Sequence, residues 1–285
     1  MTYTTSNGVK IFITGGSGML GRVLVKHFRD VIAPSQEEFD LLKPSHAFPR
    51  CDVIIHCAAM TVVDECEKNQ SLCKQINVDG TARVVELARR WNAQLFFIST
   101  PMVFSGKHGN YREQDRTLPV NYYGWTKREG ERLVRNYKRG IVIRTNPIGV
   151  RPPGSFPSFI QWFVDAATSK RSFDLFSDVR INPVSTETLA RVLRSLIERP
   201  VRDTIMHVGS RDIANKADIW EFIVKRFPNF HGVVRRTSVD DTGVGKATYR
   251  PKEMWLNVDR IQKQHGIPMP PWQREVSLVL KELGL

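Results

Sequence analysis

The chain has 285 residues, of which 41% are hydrophobic and 25% are charged. These proportions are typical of a globular protein and exclude a disordered or collagen-like chain, and no stretch reaches the roughly 20 apolar residues of a membrane helix. Lysine and arginine total 42 against 29 acidic residues, which gives a net charge of +13. Because the basic residues are spread along helical stretches, a solvated surface that attracts anionic ligands explains them better than specific nucleic-acid binding.

The cysteines and the N-terminal segment bear on the cellular compartment. Four cysteines in a chain of this length do not form a disulfide scaffold, and their irregular spacing without a C-x-x-C pair predicts no metal site. They are Cys51, Cys57, Cys66 and Cys73. Residues 1–10 are polar and lack the apolar core of a secretory signal. We therefore expect a cytoplasmic protein with reduced thiols and no membrane partner.

Strands and helices alternate through the first half of the chain. Short apolar runs predict strands at 9–14, 30–33, 51–59, 94–100 and 140–145. Helical spacing of apolar residues predicts helices after residue 18, at 74–91 and at 122–138, with a polar loop at 101–121. This alternation is typical of a parallel sheet with helices on both faces, whose ligands bind at the carboxyl ends of the strands.

The pattern loosens after residue 150. A segment rich in proline and glycine at 152–159 leads to predicted helices at 186–198, 214–227 and 270–285 and to a strand at 204–210. We predict an α/β fold in which a Rossmann-type, doubly wound parallel sheet is followed by a smaller C-terminal substrate-binding lobe. The first domain would span 1–150 and the lobe 151–285, with segments near 182–210 returning to the first domain.

Gly15, Gly18 and Gly21 form a G-x-x-G-x-x-G pattern between the first predicted strand and the first predicted helix. Glycine permits a tight turn and a close approach of the backbone to a pyrophosphate, and a helix N-terminus offers free N–H groups. A purely structural turn is the alternative. The position between strand and helix favours dinucleotide binding by the first domain.

The end of the second predicted strand favours NADP(H) over NAD(H). An NAD site usually has an acidic residue there, which binds the ribose hydroxyls. Residues 33–36 contain no carboxylate, although Glu37 and Glu38 follow, so a 2′-phosphate would meet less repulsion. The candidate phosphate partners are Arg22, Lys43 and Arg50.

Tyr123 and Lys127 are four residues apart on a predicted helix and so share one face. A lysine ammonium beside a phenol lowers the pKa of the tyrosine, which would let Tyr123 donate a proton to a carbonyl that receives a hydride. Ser99 and Thr100 end the fourth predicted strand, where a hydroxyl could bind the same carbonyl. Taken alone, each motif could be structural, but together with the glycine pattern they predict a catalytic site.

Further segments accompany these motifs, and in this combination the sequence resembles the extended short-chain dehydrogenase/reductase superfamily. It is most similar to the dTDP-4-dehydrorhamnose reductase branch, and the resemblance covers nearly the whole chain. The segments that carry it are 57–67, 76–81, 98–106, 111–115, 119–131, 250–251, 257–259 and 271–272.

The resemblance implies an NAD(P)H-dependent reductase of a nucleotide-activated 4-keto-6-deoxy sugar. It makes Tyr123 the acid, lets Thr100 polarise the carbonyl and lets Lys127 bond the nicotinamide ribose. It places the cofactor beside Gly15, Gly18, Met19, Leu20, Gly21, Asp40, Leu41, Ala58, Ala59, Met60 and Lys127. It places the substrate beside Thr100, Met102, Tyr123, Asn146 and Arg250. A homodimer is one possible assembly.

Two departures from the family pattern fall on the substrate side. The family's Asp-Tyr pair is Pro101-Met102 in this chain, and Pro147 stands where the family has tryptophan. Proline has no backbone donor and methionine cannot give the hydrogen bond of a tyrosine, so reduction is better supported than synthesis of dTDP-rhamnose itself. The alternatives are an epimerase or dehydratase with tightly bound NAD, and a non-catalytic regulatory subunit that binds NADP.

Overall fold

The computed structural model describes residues 8–43, 48–199, 201, 204–240 and 248–285, so most of the polar N-terminal segment lies outside the described residues. In the first half the strands are β1 (Ile11–Thr14), β2 (Val31–Ile32), β3 (Val53–His56), β4 (Gln94–Ser99) and β5 (Gly140–Thr145). The helices are α1 (Met19–His27), α2 (Val63–Lys68), α3 (Gln70–Lys74), α4 (Gly80–Trp91) and α5 (Tyr122–Arg135).

The second half contains shorter elements. Its strands are β6 (Pro147–Ile148), β7 (Phe173–Phe176), β8 (Arg180–Ile181), β9 (Val184–Ser185), β10 (Ile205–Val208), β11 (Ala214–Asn215) and β12 (Val234–Thr237). Its helices are α6 (Phe159–Thr168), α7 (Thr186–Ile197), α8 (Lys216–Val224), α9 (Asp259–Lys263) and α10 (Trp272–Glu282). No helix in the described part of the chain is long and apolar enough to cross a membrane.

A six-stranded parallel sheet forms the centre of the molecule, in the order β10-β5-β4-β3-β1-β2. Every residue of β1 and β3 is buried, as expected for parallel strands covered on both faces. The chain passes from β2 on one side of β1 to β3 on the other, which makes the β1–β3 boundary a switch point where ligands bind. The predicted α/β, Rossmann-type fold is therefore confirmed.

The second half adds one strand to this sheet and builds a separate apolar cluster. Strand β10 pairs with β5 in parallel. The other short strands pair two by two, as β6 with β9, β7 with β12 and β8 with β11. Phe163, Trp220 and Val279 belong to an apolar cluster formed almost entirely by this half. The division of the chain at residue 150 stays a prediction.

The structure contains elements that the sequence pattern does not reveal. Helix α6 begins with a capping box in which Ser158 and Gln161 bond each other's backbone, directly after the segment rich in proline and glycine. The helix predicted over 74–91 starts instead with a π-helical turn at Gln75–Asp79, and α2 and α3 precede it. Such π-turns are frequent at functional sites.

Candidate active site

One cavity of about 900 Å³ lies at the carboxyl ends of the sheet strands and extends into the second half of the chain. Every residue that the family resemblance assigns to cofactor or substrate lines it, so the structure brings that set together. These residues are Gly15, Gly18, Met19, Leu20, Gly21, Asp40, Leu41, Ala58, Ala59, Met60, Thr100, Met102, Tyr123, Lys127, Asn146 and Arg250.

The glycine loop forms the floor of one end of this cavity. Gly15 has a φ of +71°, and a Cβ there would lie 2.8 Å from the backbone nitrogen of Ala58. A Cβ at Gly21 would lie 2.1 Å from the carbonyl oxygen of Gly15, so α1 can pack this close to β1 only without a side chain. Gly18 caps α1 and offers no side-chain acceptor, which leaves the first N–H groups of the helix to bind an anion.

The wall formed by Ala58 to Met60 is fixed by groups beneath it. The Ala58 N–H donates to Thr14 Oγ1 at 3.2 Å. Asn77 accepts from the Met60 N–H at 2.8 Å and donates to the Met60 carbonyl at 3.0 Å. Asn77 lies in the π-helical turn and also donates to Thr126 at 3.0 Å. Sequence reasoning gave Asn77 no role, because only the folded chain shows what it contacts.

The glycine-loop end extends to residues after β2. Pro34, Ser35 and Gln36 line the cavity. The carboxylate of Glu38 accepts a hydrogen bond from the Ser35 N–H at 2.7 Å, and neither Glu37 nor Glu38 lines the cavity. Residues 33–36 carry no carboxylate, and the carboxylate that does line this end is that of Asp40, which pairs with Lys43.

The three candidate phosphate partners have different environments. Arg22 donates to the carbonyl of Val150 and pairs with Glu282, away from the cavity. Lys43 pairs with Asp40 at 3.4 Å and so lies beside this end of the cavity. Arg50 does not line the cavity. None of the three lines the cavity; Lys43 is the one whose ion-pair partner, Asp40, does.

Tyr123 stands in the first turn of α5, and Asn121 caps that helix by accepting from the Gly124 N–H at 2.8 Å. Burial raises the pKa of Tyr123, and this effect outweighs the lowering by its hydrogen bond to Thr100. The expectation of a lowered tyrosine pKa is therefore wrong for this structure. The physical reason is that loss of water disfavours the phenolate. A phenol with a raised pKa keeps its proton at neutral pH, as an acid must.

Lys127 lies one turn further along α5 and is buried. Burial lowers the pKa of Lys127 to about 8, while the Glu131 carboxylate acts in the opposite direction. The ammonium lies 4.0 Å from the centre of the Phe97 ring, a cation–π contact that offsets part of the lost hydration.

A buried ion pair lies beneath Lys127. Glu131 accepts from Arg144 at 2.7 and 2.9 Å, and both side chains are buried. The Ser99 hydroxyl donates to Glu131 at 2.6 Å. Ser99 is therefore committed to this network, which leaves Thr100 as the strand-end hydroxyl able to reach a ligand.

The sequence matches the RmlD substrate-binding domain family over residues 9–285. The chain belongs to this family. It is 28% identical over 292 residues to the dTDP-4-dehydrorhamnose reductase of Aggregatibacter actinomycetemcomitans. The alignment covers 94% of this chain and 97% of that protein. It is also 32% identical over 155 residues to methionine adenosyltransferase 2 subunit beta of Bos taurus. That alignment covers 49% of this chain and 46% of that protein.

A solved structure shows the same fold. The dTDP-4-dehydrorhamnose reductase of Bacillus anthracis, in complex with NADP, is 23% identical and gives a TM-score of 0.86. The match covers 96% of this RmlD-family chain and 99% of the Bacillus chain.

The first departure from the RmlD-family pattern lies in a short 3-10 turn, Pro101–Val103. The Thr100 hydroxyl accepts a hydrogen bond from the Met102 N–H at 3.2 Å. The donor that Pro101 lacks is therefore supplied by the next residue. Met102 lines the cavity and packs against the apolar cluster of the second half.

The second departure lies at the start of β6. Pro147 lines the cavity. The neighbouring Asn146 donates from Nδ2 to the carbonyl of Met254 at 2.8 Å, so the second N–H of its amide and its oxygen are left for a ligand. The departures therefore change the cavity surface of this RmlD-family member without disturbing Thr100, Tyr123 or Lys127.

Proposed function

We propose that this protein is an NADPH-dependent reductase of a nucleotide-activated 4-keto-6-deoxy sugar. The observation that carries the proposal is the meeting of Thr100, Tyr123 and Lys127 with the glycine loop in one cavity. Full-length similarity to a dTDP-4-dehydrorhamnose reductase supports the same reaction class.

The described residues fit a dinucleotide. The glycine loop provides a cradle that a Cβ would fill, and the uncapped N-terminus of α1 faces anionic groups. Residues 33–36 and Lys43 favour NADPH, because no carboxylate at 33–36 would repel the 2′-phosphate. Bound NADPH would supply the hydride for the carbonyl carbon.

The chain's own residues then handle the charge that develops on the carbonyl oxygen. Tyr123 keeps its proton until an alkoxide, a much stronger base, forms beside it. Thr100 hydrogen-bonds the tyrosine and orients it. The Lys127 ammonium, protonated below about pH 8, stabilises the phenolate left after transfer.

The test pairs two adjacent tyrosines. NADPH oxidation is followed by the absorbance of the reduced nicotinamide, with dTDP-4-keto-6-deoxy-L-mannose as the first substrate of a keto-sugar panel. Tyr123→Phe should lower turnover by about 10²–10⁴-fold with an unchanged Kd for NADPH. Tyr122→Phe is the matched control, since Tyr122 does not line the cavity. Normal turnover of Tyr123→Phe would overturn the proposed acid.

A regulatory subunit is a second candidate, favoured by the similarity of half the chain to methionine adenosyltransferase 2 subunit beta. It predicts NADPH binding without oxidation of any keto sugar, and an effect on the activity of a partner enzyme. An epimerase or dehydratase would instead purify with stoichiometric NAD. Cytoplasmic location and a homodimer stay predictions.

A further inference from the structure

Lys216 lines the cavity but has no role in the proposed proton transfer. It is the first residue of α8, whose start is fixed by a capping box between Asn215 and Asp218. Its ammonium lies 5.8 Å from the centre of the Phe159 ring and 5.6 Å from that of Phe176. Lys216 and both rings line the same cavity as Tyr123. The side chain is therefore part of the site wall.

The charges around Lys216 are unbalanced. Among residues 8–43, 48–199, 201, 204–240 and 248–285, no carboxylate forms an ion pair with Lys216 or Arg151, which also lines the cavity. Arg250 has one carboxylate partner, Asp64, at 2.7 Å. The Nε of Arg250 is buried without a hydrogen-bond partner. Within the described residues, Lys216 and Arg250, whose charges repel each other, thus have one carboxylate between them, that of Asp64.

Loss of hydration makes this excess of positive charge costly. Burial, and then the charge of Arg250, lower the pKa of Lys216 to about 8. A partly buried ammonium without a counter-charge destabilises the fold, and an anionic ligand would supply the missing negative charge. The residues that act on Lys216 are Phe159, Phe176 and Arg250, which all come from the second half of the chain and not from the glycine loop.

We propose that Lys216, together with Arg250, binds the diphosphate of the nucleotide-sugar substrate. The inference rests on the proposed function, because the diphosphate is the charged part of such a substrate. The aromatic rings beside Lys216 exclude water from the contact, which strengthens a charge-assisted hydrogen bond. Lys216 would then select nucleoside diphosphate sugars over uncharged sugars.

The experiment compares Lys216→Met with Lys225→Met in the full-length protein saturated with NADPH. Lys225 follows α8 at its other end and is exposed, so its substitution removes the same charge outside the cavity. Calorimetry would give the Kd of dTDP. We expect Lys216→Met to weaken dTDP binding about tenfold or more, Lys225→Met to have no effect, and Lys216→Arg to restore most of the affinity.

Further readouts separate binding from folding and from the reaction itself. Lys216→Met should melt at or above the wild-type temperature, because a partly buried charge without an ion-pair partner is removed, and its Kd for NADPH should not change. The KM for the keto-sugar nucleotide should rise about as much as the Kd of dTDP, with kcat little changed. Wild-type affinity of Lys216→Met for dTDP, in a protein that reduces the keto sugar, would overturn the role of Lys216 alone. A wild-type protein that oxidises no NADPH would instead overturn the proposed function.

Discussion

The two ends of the cavity are built in different ways. At the glycine-loop end, backbone groups and small residues at the ends of long, buried parallel strands form the wall. At the other end, side chains from loops, two-residue strands and helix starts form it, and they include the cations Lys216 and Arg250. Binding by backbone suits a ligand of constant shape. Binding by side chains lets the same fold accept another ligand after few substitutions.

The difference explains where this chain departs from its family. Met102 and Pro147 line the cavity outside the glycine loop, and Pro101 precedes Met102 in the same turn, whereas the glycine loop is unchanged. Substitutions should therefore separate into two groups. Those at the glycine-loop end should change cofactor affinity, and those at the other end should change the KM of the substrate.

Lys127 lines the cavity and serves the reaction itself. Its substitution should have the largest effect. We expect Lys127→Met to lower turnover by about 10³-fold and to raise the free energy of unfolding near pH 7 by up to about 3 kcal/mol. The gain arises because the lysine pKa falls from 10.5 unfolded to about 8 in the folded protein. Thermal melts and turnover measurements would check both effects.

The stability difference between Lys127→Met and the wild-type protein should depend on pH. Between about pH 8 and 10.5 the unfolded chain binds the extra proton, so wild-type stability rises with pH across that window. The stability advantage of Lys127→Met should shrink there and vanish above it. A variant less stable than wild type at neutral pH would contradict a charge that costs folding energy.

Gly15→Ala tests the backbone end. The new Cβ would press on the Ala58 nitrogen at 2.8 Å, and we expect the Kd for NADPH to rise about 100-fold. Gly266→Ala is the control, since Gly266 has a similar φ of +62° with no atom within 4 Å of its Cβ. Equal loss of NADPH affinity in both variants would show that strain at positive φ, and not the close approach, is responsible.

Ser35→Asp tests the choice between the two dinucleotides. An added carboxylate beside the ribose end should weaken NADPH binding about tenfold and leave NADH binding unchanged or tighter. Ser155→Asp places the same charge elsewhere along the cavity lining and should affect the substrate instead. Fluorescence titration with both cofactors gives the ratio. An unchanged ratio in Ser35→Asp would mean that the 2′-phosphate lies elsewhere.

Met102→Ala should have the smallest effect. Loss of part of an apolar contact is expected to raise the KM for the keto sugar about threefold, with no change in the Kd for NADPH. Steady-state kinetics at saturating NADPH would measure it. A change in NADPH affinity instead would break the separation between the two ends.

The parts that the sequence predicted are those with local motifs. The glycine pattern and the Tyr123–Lys127 spacing each lie within a few residues, so their geometry follows from one turn or one helix. Asn77 and Lys216 could not be found in this way, because their partners are distant in sequence. The pKa of Tyr123 was predicted in the wrong direction, because helical spacing reveals the neighbouring lysine but not the depth of the cavity.

The pairing of β10 with β5 has a consequence for synthesis on the ribosome. Strand β5 is complete at Thr145, but its outer neighbour ends only at Val208. Leu193 and Met206 also complete the apolar core around β1 and β3. A nascent chain released up to residue 150 therefore exposes an open sheet edge and an uncovered apolar face, both of which favour aggregation. The sheet edge at β5 can be covered only once β10, which ends at Val208, has also been synthesised.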